Sequence, residues 1–389
     1  MPGQTHANIK MEIRQYQLEA IEYLKTTKRA LLIAPAGSGK TYMAASAVDQ
    51  LLQKYKNMQS LNWTLSIEVM VNTTEQKQQM QDAFDLFNIS KRCNLHIYCA
   101  AGAPMDTDPD LLIVDECHHS TAKTWKQKIA QCNAARWGLS ATPFEGKDSD
   151  QVRLIKKLFG SWPHIIKRDQ LVEQGNIALA IVKWLTPVCP EISADINELS
   201  ENLIQARRKK MPWFFKSEDK AREQESQCRW QATLKIGIHE NPVRDFFIID
   251  TANMLTRQGK HVIVLIASIE HGETLHEYIY GSKLCYSKMG AKKRREAIAE
   301  FRAGRCKCLI ATSMLDEGFD APIADALILA YAGKSQRRAI QSTGRVLRPY
   351  NGKACGIIYD FKDTFNGMLA NQARKRRAMY KQLNYTQEG

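Results

Sequence analysis

No Cys-x-x-Cys pair occurs among the ten cysteines of the chain, and Cys306 and Cys308 stand too close together to form a zinc clip of their own. The cysteines therefore read as reduced thiols rather than as a disulfide or metal framework. No run approaches the ~18 apolar residues that a membrane-spanning helix requires. No charged-then-apolar leader opens the sequence, so a soluble, cytoplasmic protein without a membrane partner is expected, in the host cytoplasm if a phage encodes it. Low-complexity segments are also missing. Acidic residues are in deficit, with 41 Asp and Glu against 55 Lys and Arg and a formal net charge of +14. Such an excess favours polyanionic partners, nucleic acid or an anionic surface. It is uneven: residues 1–182 hold 21 basic and 18 acidic side chains, and residues 183–389 hold 34 and 23.

What is present is a globular composition, 44% hydrophobic and 25% charged, over 389 residues. That length exceeds one ordinary domain of roughly 150 residues and predicts two, with room for an insertion. Apolar runs of strand length alternate with helical periods, the pattern of a parallel sheet flanked by helices, and the pattern occurs twice. In the first half the strands are expected at Ala30–Ala34, Leu65–Val71, Leu95–Cys99, Leu111–Val114 and Trp137–Ser140. Helices are expected over Thr41–Lys54 and Thr74–Phe87. In the second half the strands are expected at His261–Ala267, Lys283–Tyr286, Lys307–Ala311, Ala326–Ala330 and Gly356–Tyr359. Residues 190–240 have helical composition but another character, with Arg207-Arg208-Lys209-Lys210 followed by Met211-Pro212-Trp213-Phe214-Phe215. The expected division is 1–183, a helical insertion over 184–240, 241–370, and a basic C-terminal helix over 371–389.

Ala34-Pro35-Ala36-Gly37-Ser38-Gly39-Lys40-Thr41 lies between an apolar strand and a helix. A nucleoside triphosphate needs a loop whose backbone N–H groups point inward, and glycine permits the required φ values. The helix that follows adds its positive end. Lys40 then reaches the β and γ phosphates, and the Thr41 hydroxyl completes a Mg2+ shell. Ala34 replaces the first glycine of the general phosphate-loop pattern, while Gly37, Gly39, Lys40 and Thr41 are intact.

Leu111–Val114 runs into Asp115-Glu116-Cys117-His118-His119. Carboxylates at the C-terminal end of a buried strand sit where open α/β sheets bind ligands. Asp115 is placed to hold Mg2+ through water, and Glu116 to polarise the water that attacks the γ phosphate. A zinc cluster is the competing reading of these five residues. Adjacent side chains diverge, however, and no other Cys/His cluster supplies the remaining ligands, which favours coupling of the ATP site to a neighbouring motif as the role of His118.

With these two motifs in place, the chain resembles the superfamily 2 helicases and translocases of the DExH type over most of its length. The resemblance implies two tandem RecA-like (P-loop) α/β domains with a helical insertion between them. It also implies ATP and Mg2+ as ligands and nucleic acid, DNA in preference to RNA, as partner, for a protein that works as a monomer. Ile13-Arg14-Gln15-Tyr16-Gln17 is similar to the family's adenine-recognition element, in which Gln17 reads the adenine edge and Arg14 and Tyr16 support it. Val71-Asn72-Thr73, with Gln79 beyond, resembles the first strand-contacting motif, although Asn72 stands in place of the usual proline. Ser140-Ala141-Thr142-Pro143 resembles the motif that links hydrolysis to strand movement.

In the second half, Val262–His271 resembles the strand and loop that open the second nucleic-acid surface. Residues 311–322, Ala-Thr-Ser-Met-Leu-Asp-Glu-Gly-Phe-Asp-Ala-Pro, resemble the fifth motif, where Thr312 touches a backbone phosphate and Gly318 and Asp320 the ribose. Residues 341–349 resemble the sixth, in which Gln341, Arg345 and Arg348 face the triphosphate. Glu317–Pro322 together with Ser140–Phe144 are similar to the branch that contains phage recombination helicases, excision-repair helicases and restriction-type translocases.

Each half supplies what the other lacks, so catalysis is expected only when the two close on one ATP at an interdomain cleft. The basic runs at 292–295, 337–338 and 374–377 read as solvated faces or as phosphate contacts. For the insertion, two readings stay open. Arg207, Arg208 and Trp213 grip and stack on a strand, or the aromatics pack the insertion against the motor.

Overall fold

The computed structural model describes residues 13–56, 64–102, 108–144, 147–286, 288–312, 321–331, 344, 350 and 353–389, excepting the side chains of 56, 75 and 291. They form two compact units that divide between Gln170 and Leu171.

Six strands build the sheet of the first unit: β1 (Arg29–Ile33), β2 (Ser66–Val71), β3 (Asn94–Cys99), β4 (Leu111–Asp115), β5 (Ala135–Ser140) and β6 (His164–Ile165). All pairs are parallel, in the order β3-β2-β4-β5-β1-β6. The strands are near-continuous apolar runs because a parallel sheet flanked by helices is buried on both faces. Helices α1 (Gln15–Thr26), α2 (Lys40–Lys56), α3 (Thr74–Asp85), α4 (Lys123–Gln131) and α5 (Ser149–Phe159) flank it, and α6 (Arg168–Glu173) spans the division between the units. One core cluster gathers Leu31, Met70, Leu112, Val114, Trp125, Ile129 and Phe159. At the middle of the sheet Gly138 is a packing requirement: a Cβ there would stand 2.7 Å from the Phe159 ring and 3.1 Å from Cys117 Sγ. Gly138→Ala should lower stability by about 1–3 kcal/mol, read as a shift in the urea midpoint. An unchanged midpoint would contradict this account of the packing.

The second unit has a seven-stranded parallel sheet in the order β13-β7-β12-β11-β8-β10-β9. Its strands are β7 (Leu179–Leu185), β8 (Val262–Ile266), β9 (Ser282–Cys285), β10 (Cys308–Thr312), β11 (Ala326–Leu329), β12 (Cys355–Phe361) and β13 (Thr386–Glu388). Described helices of this unit are α7 (Ile192–Lys210), α8 (Glu218–Leu234), α9 (Pro242–Arg257), α10 (Ile269–Tyr278), α11 (Ala291–Arg302) and α12 (Gly367–Gln382). Two parallel α/β units flanked by helices are thus the architecture, as the motifs imply.

Two boundaries differ from the sequence reading. The first unit ends at 170 rather than 183, because β7 pairs along its whole length with β12, from Leu179↔Cys355 to Leu185↔Phe361. The C-terminal segment is no appendage either: β13 adds to β7, and α12 is clamped from beneath by a buried Arg376–Asp360 pair at 2.8 Å, to which Tyr380 donates a hydrogen bond at 2.9 Å. The insertion is a hairpin of α7 and α8 seated on the second unit through Cys189, Ile192, Ile196 and Ala232. All ten cysteines are free thiols. Among the described residues no helix is long and apolar enough to cross a membrane.

Candidate nucleotide-binding site

The site of the first unit is assembled by three neighbouring strand ends. In the parallel register Ile33 pairs with Ser140 and Leu139 with Asp115, so the C-terminal ends of β1, β5 and β4 lie side by side. Ala34 N–H donates to Ser140 O at 3.1 Å, which ties the loop after β1 to the end of β5. Ligands bind at such edges because the loops and helix N-termini there leave N–H groups unpaired.

The loop has the backbone that its glycines allow. Gly37 and Gly39 have φ of 84° and 85°, the left-handed region that L side chains rarely adopt. A Cβ on Gly39 would also meet Gln17 Nε2 at 3.0 Å. Helix α2 starts at Lys40, directly after this turn. Lys40 Nζ folds back on the loop carbonyls, donating to Ala34 O at 3.1 Å and reaching Pro35 O at 3.5 Å. Ser38 is buried, and its hydroxyl has no hydrogen-bond partner among the described residues. A buried orphan hydroxyl, inward glycine turns and a lysine satisfied only by backbone carbonyls suit a phosphate chain, whose oxygens would give each group a stronger partner.

Helix α1 braces the loop. Tyr16 Oη donates to Ser38 O at 3.1 Å, Gln17 Nε2 reaches the same carbonyl at 3.3 Å, and Gln17 Oε1 accepts from Arg14 N–H at 3.0 Å. The family resemblance implies that Gln17 reads the base. The structure gives it, with Tyr16, a mechanical part as well, holding the phosphate loop against α1.

Opposite the loop, Asp115 closes β4 and Glu116 follows in the left-handed region, at φ 46° and ψ 51°. That strain at a non-glycine residue turns its carboxylate away from the strand direction, toward Ser140. Ser140 Oγ is the hub. It donates to Glu116 Oε2 at 3.3 Å, lies 3.3 Å from His118 Nδ1 and accepts Thr142 N–H at 3.2 Å. His118 Nδ1 is also 3.2 Å from Glu116 Oε2, and its ring is buried with Nε2 unpartnered among the described residues. The His119 ring lies tilted against those of His118 and Trp125, with centroids 4.1 and 5.4 Å away, and no group of three or more His, Cys, Asp and Glu placed to hold a metal occurs among the described residues.

The two carboxyls titrate apart. Burial, then the Glu116 charge, pushes Asp115 up to about 7 against the pull of Lys40. Burial also pushes Glu116 upward, but the His118 hydrogen bond, Lys40 and Ser140 outweigh it and leave Glu116 below the ordinary carboxylate range. Glu116 is therefore held ionised, while Asp115 keeps its proton to a higher pH. A carboxyl with a raised folded-state pKa costs stability once ionised. The penalty is absent below its ordinary 3.8 and complete above about 7. Asp115→Asn should accordingly raise the melting temperature of the ligand-free protein at pH 8 and do so far less at pH 4, close to where the penalty begins. An equal shift at both pH values would contradict the burial argument.

Other expected site residues are distributed as follows. Thr73 caps α3, its hydroxyl accepting Gln76 N–H at 3.2 Å. Thr312 ends β10 with its hydroxyl buried and unpartnered among the described residues. Arg207 and Arg208, read as strand-gripping, are occupied inside the hairpin: Arg207 donates to Gln224 at 3.1 Å and lies within 3.3 Å of Gln227 and Gln231, and Arg208 pairs with Glu225 at 2.6 Å. Trp213 remains 58% exposed at the turn. Gly318, Asp320, Gln341, Arg345 and Arg348 lie outside the described residues.

A glycine loop, two carboxylates and a serine hub at adjacent ends of a parallel sheet define a phosphate-loop nucleotide-binding protein. Residues 10–100 and 102–145 match the model of the type III restriction enzyme res subunit, and residues 246–350 match the helicase conserved C-terminal domain. The chain is 24% identical to helicase 22 of Sulfolobus islandicus filamentous virus, over 90% of this chain and 64% of that protein. It is 22% identical to the ATP-dependent DNA helicase uvsW of Enterobacteria phage T4, over 97% and 73%. The helicase domain of Hef from Pyrococcus furiosus shares the fold, with a TM-score of 0.56 and 17% identity over 93% of this chain and 98% of that one. The chain belongs to the superfamily 2 helicases and translocases, related to phage, excision-repair and restriction-type members.

Proposed function

We propose that this chain is an ATP-driven motor that moves on nucleic acid, with DNA as its track. The observation that carries the reading is the convergence of Lys40, Asp115, Glu116 and Ser140 on three neighbouring strand ends. Backbone N–H groups of Ala36 to Thr41 and the Lys40 ammonium bind the triphosphate, while Arg14 and Gln17 meet the adenine and Gly318 and Asp320 the ribose. Thr41 and Asp115 are the residues that would hold Mg2+. The ion, when bound, neutralises charge on the β and γ oxygens. Glu116, kept ionised by His118 and Ser140, takes the proton of the attacking water.

Gln341, Arg345 and Arg348 complete the site from the second unit, so hydrolysis waits for the two units to close. His118, Ser140 and Thr142 relay the state of the Glu116 carboxylate to the strand surface that Thr73 and Thr312 help to form. DNA is favoured because the phage T4 relative is named a DNA helicase. The reading is tested by ATP turnover measured with single-stranded, duplex and forked DNA and with RNA, all at one salt concentration, since phosphate contacts weaken steeply with salt. Turnover should rise most with DNA, and strand separation on the forked substrate distinguishes unwinding from remodelling or annealing. Turnover indifferent to every nucleic acid would overturn the proposal.

Within the insertion, the strand role passes from Arg207 and Arg208, which α8 holds, to Trp213 and its exposed neighbours Lys209, Lys210 and Lys216. Trp213→Ala should weaken binding of a single-stranded oligonucleotide by about 1–3 kcal/mol, the scale of one stacked base, in a titration followed by anisotropy. Unchanged affinity would leave the tip as packing only.

A further inference from the structure

Residues 374–377 read Arg-Lys-Arg-Arg, but the structure divides them into two kinds. Arg376 is buried and bonded to Asp360 by both Nε and Nη2, at 2.8 and 2.9 Å. Arg374, Lys375 and Arg377, with Lys381 one to two turns on, are exposed and have no ion pair among the described residues. Other cationic helices of this unit carry their own counter-charges: α7 is cross-braced to Glu225, and Glu300 of α11 pairs with Lys283 at 3.3 Å. The sequence of α12, Gly367–Gln382, contains no Asp or Glu at all. The neighbouring acid on β13, Glu388, is held by Lys183 at 3.4 Å.

Orientation is fixed from below. The Arg376–Asp360 pair and the Tyr380 hydrogen bond sit on the buried side of α12, and Gln387 Nε2 donates to Arg377 O at 3.2 Å, which pins the helix to β13. A helix so anchored cannot roll, and its free cations keep one outward face. The helix dipole accounts for Lys381 in the last turn, not for Arg374 and Lys375 about two turns earlier. At 1.5 Å rise per residue the cations from 374 to 381 span about 10 Å, the length occupied by roughly three phosphates of one strand.

We propose that this face of α12 is a further nucleic-acid contact, binding backbone phosphates through Arg374, Lys375, Arg377 and Lys381. It rests on the nucleic-acid reading above and adds to it a site outside the motor motifs. The contact is independent of sequence, because phosphates carry no base information.

The test uses the full chain and its quadruple variant, Arg374→Gln, Lys375→Gln, Arg377→Gln and Lys381→Gln, with Kd for a single-stranded oligodeoxythymidine measured across a salt series. Each lost phosphate contact should reduce the slope of log K against log salt by about 0.7, so a fall of about 2 to 3 is expected. A control neutralising Lys54, Lys91, Lys123 and Lys126, all exposed on the first unit, should leave the slope near that of the parent. Equal melting temperatures for parent and variant keep the comparison one of binding. An unchanged slope in the α12 variant, or an equal fall in the control, overturns the proposal. So does loss of binding to vesicles containing phosphatidylserine with the oligonucleotide slope intact, which would give the face to a membrane. ATP turnover of the parent with the same oligonucleotide separates the two readings: stimulation with an unchanged slope sinks this inference alone, and absence of stimulation sinks the motor.

Discussion

Arg345→Ala is expected to retain ATP binding and to lose ATP turnover by at least ~10³, the low end of what an arginine on a transferring phosphoryl contributes. Around the loop of the first unit stand one lysine, Lys40, and two carboxylates, Asp115 and Glu116, and the interactions described there involve Lys40 and these carboxylates. Charge that develops on the phosphoryl oxygens therefore needs a cation from elsewhere. The motif around Gly344 in the second unit is the sequence feature that supplies one. Binding measured with a fluorescent ATP analogue should be near normal in the variant, because Lys40 and the loop N–H groups are untouched. Near-normal turnover would remove Arg345 from the site, and weakened binding with matching loss of turnover would make it a ground-state contact.

Glu116→Gln should lower turnover by about 10² to 10⁴ with little change in affinity, the range for a positioned general base. Its amide keeps the size of the side chain and can still meet Ser140 and His118, so the fold is not at issue. What it loses is the proton acceptor. The two carboxyls add a pH signature: turnover of the parent should fall as the pH drops through about 7, where Asp115 takes up its proton, while Glu116, held below the ordinary carboxylate range, stays ionised. A Glu116→Gln variant with parental turnover would move the base elsewhere.

What could be read from the sequence was what local chemistry dictates. The phosphate loop was legible because Gly37 and Gly39 specify positive φ without reference to the rest of the chain. The carboxylate pair stood out because two adjacent acids at the end of a buried apolar strand are costly unless a partner compensates their burial. The strand at Leu179–Leu185 was not assigned to the second sheet, since its partner at Cys355–Phe361 lies far downstream and no local signal names it. Side-chain partners were not legible for the same reason. Four basic residues at 207–210 look alike in sequence, and only the packing of α8 shows Arg207 and Arg208 bonded to Gln224 and Glu225. Likewise Arg376 is structural and its neighbours free because Asp360, on a distant strand, lies under one position of the helix and not the others. The brace of Tyr16 and Gln17 on Ser38 O is a three-dimensional fact with a sequence trace, a Tyr-x-type helix start beside a glycine loop, that predicts recognition but not mechanics.

One triphosphate is proposed to be held by Lys40 and completed by Arg345. The most direct measurement is the structure of the protein with ADP, a phosphoryl transition-state mimic such as aluminium fluoride, and a DNA strand. The Arg345 guanidinium is expected at about 3 Å from the mimic, in the range of charge-assisted hydrogen bonds, with Lys40 Nζ released from the Ala34 carbonyl onto the phosphates. A mimic seated in the loop with that guanidinium far away in solvent would contradict it.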